Sequence, residues 1–269
     1  MEHKGLDAYG CFEREGSLGQ VRAQFKGVVA AARERIGEAY GRRLHSAYLY
    51  GSVPRGTARP GRSDLDLLIA LQHEPAHQDR DTAEVLARGL DEDFAEIDGV
   101  GILLYGKDRL LSEQERFDLG WFLACLCTPL LGGDLAEHLP RYRPDSLLAR
   151  ETNGDLADLL PRMRSKVEDA ATPQEYRTLC RSFSRHLVRT GFTLVMPRWG
   201  GWTSDLVESA EVFGRYYPER AAQMRAAAAA ALDPVADPAV LRGFVEDLGP
   251  WLADEYAARH GTKTPRIPA

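Results

Sequence analysis

The 269-residue sequence predicts an α/β (α+β) domain with a small mixed sheet, followed by an all-α helical bundle. Two observations carry this. Short apolar runs with strand-like alternation fall only in the first half, separated by segments of helical period. Beyond Pro140–Pro144 strand signals vanish and helix-start signals recur, so the boundary is placed between residues 1–140 and 141–269.

Taken in order, Ser17–Tyr40 is helical in pattern, with Val21, Phe25, Val28, Val29 and Ile36 near helical spacing. A strand follows at Ser46–Tyr50, then a Gly-Ser turn, a short basic loop or helix, and a second strand from Asp64 to Leu71. His73–Arg80 reads as a polar turn and Asp81–Leu90 as an amphipathic helix. A third strand is expected over Glu96–Tyr105. Ser112 then opens an apolar helix through Leu126, broken near Pro129 and Gly132-Gly133. In the second half, Thr172-Pro173-Gln174-Glu175 combines an N-cap, a first-turn proline and a capping-box glutamate. Its helix is expected to reach Met196, with Pro197 as the stop. Asp205 and Glu208 mark another start, Ala226–Ala231 has top helix propensity, and Asp237-Pro238 opens a last helix through Tyr256. The tail after Gly261 is expected to be loose.

The chemistry concentrates in Tyr48–Leu71. Alternation puts Leu65, Leu67 and Ile69 on one strand face and Asp64 and Asp66 on the other. Two adjacent carboxylates repel and call for a compensating cation, for which a hard divalent ion such as Mg²⁺ is suited. Gly51 lets a ligand approach the backbone, and Ser52 offers a hydroxyl and an amide to phosphate oxygens. Phosphate cradle plus paired carboxylates points to metal-assisted phosphoryl or nucleotidyl transfer. Two ions need more than two carboxylates, so a third is expected on a neighbouring strand, where Glu96 and Asp98 are available. Arg55 is a candidate for the β- and γ-phosphates, with Ser63 as a further one.

Gly51-Ser52, Arg55-Gly56 and Ser63-Asp64-Leu65-Asp66-Leu67 together resemble the signature of the DNA polymerase β-like nucleotidyltransferases. The resemblance implies Asp98, over Glu96, as the third metal-binding carboxylate. Within that superfamily the chain most resembles the aminoglycoside O-nucleotidyltransferases of the streptomycin and spectinomycin type, through Thr128–Leu135, the segment Arg185–Val195 and the Tyr216–Glu219 run. That implies two Mg²⁺ ions, ATP as donor, a small-molecule hydroxyl acceptor and antibiotic resistance as a role. The resemblance departs at Tyr105, which runs almost directly into the next helix. The insert that supplies a glutamate base in those enzymes is missing, and Glu113, Glu115, Glu151 and Asp155 remain open as the base.

In the second half Arg177, Arg181, Arg185 and Arg189 stack on one helix face at a spacing where like charges repel. Either an acidic neighbour or solvent offsets them, or Arg185 and Arg189 face the nucleoside triphosphate. Trp199 and Trp202, flanking Gly200-Gly201, suit either base stacking or a domain interface. His186 reads as structural.

Composition sets the limits. Apolar residues make up 44% and charged residues 28%, as in a globular protein with an ample core. No apolar run is long enough for a membrane span, and the N-terminus lacks a signal-peptide pattern. A net charge of −6 weighs against a nucleic acid duplex as partner. Cys11, Cys125, Cys127 and Cys180 lack metal-site spacing and suit buried, reduced thiols in the cytoplasm. A monomer or homodimer is expected. The competing functions are a protein-modifying nucleotidyltransferase of antitoxin or signalling type and a non-catalytic nucleotide-binding regulator.

Overall fold

The structure, a computed structural model, describes residues 4–266. It divides into two compact units. One is Glu13–Arg141; the other gathers the N-terminal stretch to Phe12 with the chain from Tyr142 onward.

In the first unit, helix α1 (Lys26–Tyr40) leads into strand β1 (Leu44–Tyr50). Then come β2 (Leu65–Leu71), α2 (His77–Asp93), β3 (Val100–Gly106), the single turn α3 (Lys107–Leu110), α4 (Trp121–Leu126) and β4 (Thr128–Gly132). The sheet order is β3-β2-β1-β4. β2 and β3 are parallel, while β1 is antiparallel to both β2 and β4, so the sheet is mixed. Leu65, Leu67 and Ile69 join Ala47, Leu49 and Leu104 in a core beneath α1 and α2. On the other face Tyr48, Leu68 and Ala70 pack with Leu123 of α4.

Four local expectations are revised. The helix at Ser17–Tyr40 is a proper α-helix only from Lys26, after two 3₁₀ turns at Leu18–Gln20 and Ala23–Phe25. α2 starts at His77 instead of Asp81, because the Asp79 carboxylate accepts the Ala76 N–H at 3.0 Å and pairs with Arg43. The helix from Ser112 becomes a π-helical turn, Arg116–Gly120, continuing into α4. β4 occupies Pro129 to Gly132, which read as a break; Pro129 is tolerated there because β4 is an edge strand with no partner required on one side.

The second unit is helical: α5 (Ser146–Asn153), α6 (Leu156–Asp169), α7 (Pro173–Trp199), α8 (Leu206–Tyr216), α9 (Ala221–Leu232), α10 (Pro238–Gly243) and α11 (Gly249–His260). The capping box at Thr172 and Glu175 forms as expected. α7 passes Pro197 and ends at Gly200, whose φ of 67° closes the helix through its N–H to the Met196 carbonyl. A proline this close to the C-terminus removes one hydrogen bond without stopping the last turn. The expected last helix is α10 and α11, joined by a π-helical turn at Phe244–Leu248. That widening lies just before Pro250, where a regular turn would press the ring on a preceding carbonyl.

The tail is held as far as it is described. Lys263 N–H donates to the Gly154 carbonyl, and Thr264 donates to Glu151 through its N–H and its hydroxyl. Its last three residues lie outside the described ones. At the other end, the Trp202 N–H donates to the Lys4 carbonyl, Lys4 Nζ donates to the Trp199 carbonyl, and the Phe12 N–H donates to the Tyr142 carbonyl.

Candidate active site

The site is built where β1 ends and β2 begins. Gly51 follows Tyr50 at φ 78°, a left-handed conformation open to glycine. A Cβ there would also run into the Asp66 carboxylate, so the turn and the acid lie against each other. The next residues are a series of turns and no helix: Gly56 N–H donates to the Val53 carbonyl and Thr57 N–H to the Ser52 carbonyl. Val53, Pro54 and Ala58 are buried and fix the turn, leaving Ser52 half-buried at its edge.

Asp66, in β2, lies opposite Tyr50 of β1 and Gly101 of β3. Directly opposed residues share a sheet face, so Asp66 is flanked by an aromatic ring and by a residue with no side chain. A Cβ on Gly101 would sit 3.2 Å from Asp66 Oδ1, and one on Gly99 would sit 3.7 Å from Asp64 Oδ1. Asp64 is exposed and Asp66 half-buried. The two carboxylates are thus bordered by glycines: Gly51 just past β1 and Gly101 of β3 beside Asp66, and Gly99 just before β3 beside Asp64. Tyr50 closes one side, with Phe122 edge-on at a centroid distance of 5.0 Å.

Asp98 is placed differently from the sequence expectation. β3 begins at Val100, and Asp98 is exposed in the bend before it, with Glu96 two residues further back in a turn. Parity within a continued strand would have turned both toward the helix-covered face with Val100, Ile102 and Leu104. Gly99, at φ 132°, breaks that alternation. The Asp98 N–H donates to the Ser63 carbonyl and Leu65 N–H to the Gly99 carbonyl, which ties the bend to the start of β2. Among the described residues no three His, Cys, Asp or Glu side chains are gathered as a metal-binding group.

The remaining candidates separate. Arg55 lies 3.4 Å from Glu15, and the Ser63 hydroxyl accepts the Arg59 N–H, closing the basic loop. Arg185 and Arg189 are exposed on α7, in the helical unit. Trp199 and Trp202 both meet Phe192 edge-on, and Trp202 also meets Phe12, so the pair packs within its own unit and holds the N-terminal stretch. His186 is half-exposed with Nε2 at 3.9 Å from Asp155, and burial lowers its pKa despite that neighbour. Of the four base candidates, Glu113 pairs with Arg116, Glu115 is buried near Arg109, Glu151 is bonded to Arg150 and Thr264, and Asp155 lies near Lys263.

Residues 30–110 match the family model described as "Nucleotidyltransferase domain". They are a nucleotidyltransferase domain. The match runs from within α1 to the end of α3 and contains the Gly51 turn, both strand carboxylates and β3. The chain is accordingly an enzyme of that class. Among solved structures it is similar to spectinomycin adenyltransferase AAD(9) from Enterococcus faecialis, determined with ATP and spectinomycin. That alignment has a TM-score of 0.52 and 14% identity, covering 86% of this chain and 98% of the other. At that identity the likeness is one of fold, and it extends beyond the nucleotidyltransferase domain into the helical unit. No curated protein matches the chain.

Proposed function

We propose that the protein transfers a nucleoside monophosphate, AMP from ATP, to a hydroxyl group of a small molecule of the aminoglycoside or aminocyclitol type. The observation that carries this reading is Asp66 set against the Gly51–Ser52 turn, with Asp64 two residues before it beside Gly99.

The donor chemistry fits a divalent metal: two hard carboxylates, with Gly51, Gly99 and Gly101 placing no side chain beside them. In this reading Asp64 and Asp66 hold Mg²⁺, and Asp98 is the third carboxylate by its position beside Ser63. A bound metal of this kind neutralises charge on the transferring phosphate and makes an adjacent hydroxyl more acidic. The chain's own residues do the rest. Gly51 admits the phosphates close to the backbone, Ser52 offers hydrogen bonds to their oxygens, and Tyr50 with Phe122 limits water on one flank. The fold shared with an adenyltransferase crystallised with ATP and spectinomycin supports this choice of donor and acceptor class.

The test is incubation of purified protein and Mg²⁺ with each labelled nucleoside triphosphate and a panel of aminoglycosides and aminocyclitols. The expected product is a labelled small molecule formed from ATP. Label appearing only on protein in an added lysate would overturn the acceptor class in favour of a protein-modifying enzyme. Asp98→Asn and Glu96→Gln, compared in the same assay, assign the third carboxylate: loss in the first and near-normal turnover in the second is the expected pattern.

A further inference from the structure

Helix α1 turns Val28, Val29, Ala32 and Ile36 into the core and presents Lys26, Ala30, Arg33, Glu34 and Glu38 to the outside. Between this outer stripe and edge strand β4 runs an open groove of about 660 Å³. Its walls are apolar, with Leu18, Val21, Leu130 and Leu131 among them, and its charged residues all come from α1.

Two features of α1 have no use inside the unit. Glycine within a helix costs roughly 0.5–1 kcal/mol relative to alanine, yet α1 carries Gly27 and Gly37. A Cβ at Gly37 would lie 3.6 Å from Leu131 Cδ2, and one at Gly27 would lie 3.8 Å from Phe94 Cε1, both ordinary contacts. Internal packing therefore does not require either glycine. Second, Glu34 and Glu38 are four residues apart on the exposed stripe, where like charges repel.

We propose that this face is an interface between two copies of the chain, with α1 antiparallel to the partner's α1 about a two-fold axis between Arg33 and Glu34. A two-fold interface requires self-complementarity: if one residue meets another, the reverse contact also forms. In this register Arg33 meets the partner's Glu34 and Glu34 meets the partner's Arg33. Ala30 meets the partner's Gly37, a small-on-small pair that permits close helix approach. Lys26 comes within a turn of the partner's Glu38, offsetting the glutamate pair. The apolar groove on each copy is then covered from the partner's side. Because α1 packs on the sheet face opposite Asp64 and Asp66, the carboxylate face stays open in the dimer.

Light scattering coupled to size exclusion, with the full chain over a range of concentrations, tests this directly. The wild-type protein is expected to be dimeric with a melting temperature that rises with concentration, and Arg33→Glu monomeric with a cooperative melt that does not depend on concentration. The charge-swapped double variant Arg33→Glu/Glu34→Arg restores the dimer, because both cross-axis pairs reform with reversed sign. In an Ala30→Cys/Gly37→Cys variant, oxidation is expected to yield covalent dimers. A wild-type protein that stays monomeric at all concentrations would overturn the proposal and leave the groove to a small apolar ligand or a foreign helix. A dimer unaffected by Arg33→Glu would overturn it too, by placing the interface elsewhere.

Discussion

The two units handle their polar side chains in opposite ways. In the α/β unit, β2 is apolar along its helix-covered face, while Asp66 on its other face and Asp64 just before the strand lie where solvent or a ligand can reach them. In the helical unit several comparable groups are used internally. Tyr256 donates to the Ala149 carbonyl and lies 3.1 Å from the Thr193 hydroxyl, Glu151 binds Thr264 and Arg150, and His260 donates to the Leu194 carbonyl. α7 is buried on all sides from Thr190 to Met196, with Thr193 bonded back to its own helix. A polar residue in the first unit is thus a candidate for chemistry, and one in the second is more often part of the packing. Glu151 and Asp155 illustrate this: both attracted interest as bases, and both tie down the C-terminal tail.

The largest expected effect separates the units by function. Asp64→Ala or Asp66→Ala is expected to lower transfer by on the order of a thousandfold or more, without lowering the melting temperature, since each change relieves carboxylate repulsion. Retained turnover in either variant would remove the metal reading of the strand pair.

A smaller effect sharpens the comparison at two glycines. Gly51 and Gly200 both adopt positive φ, but a Cβ at Gly51 meets the Asp66 carboxylate, whereas nothing lies within 4 Å at Gly200. Gly200→Ala should cost only backbone strain, about 1–2 kcal/mol, and leave kcat intact. Gly51→Ala should cost as much in stability and, by displacing Asp66, also remove most of the activity. Thermal melts beside steady-state assays of the two proteins give the answer.

The smallest effect concerns acid. Burial is the main cause that holds the pKa values of His45, His186 and His260 below the ordinary 6.5. The folded state therefore takes up a proton less readily than the unfolded chain, so their contribution is complete above about pH 6.5 and declines as pH falls through the lowered values. Two of the three lie in the helical unit. His260→Gln should flatten the acid limb of the melting curve more than His45→Gln, and the reverse order would assign the acid sensitivity to the α/β unit.

What the sequence disclosed depended on the range of the contacts involved. The β1-turn-β2 segment was legible because its alternation, its glycine and its paired acids are set within a few residues of one another. The capping box of α7 was legible for the same reason. β4 was not, because Pro129 and Gly132 punctuate a segment unless a distant strand accepts it at an edge. The start of α2 depends on Arg43, far upstream, reaching Asp79. Counting along the chain also placed Asp98 in a strand, while the positive φ of Gly99 turns it into a bend. Gly99 and Gly101 went unremarked as neighbours of the carboxylates, since only the parallel register of β2 and β3 shows them there.

The attachment of Lys4 to Trp199 and Trp202 has a consequence for the order of events on the ribosome. Lys4 is synthesised well before its partners, which emerge only after nearly 200 further residues, roughly 10–40 s later at ordinary elongation rates. The α/β unit, Glu13–Arg141, lies wholly within that interval and can fold while residues 4–12 wait. The helical unit closes after the α/β unit, around a segment of chain that was made before it.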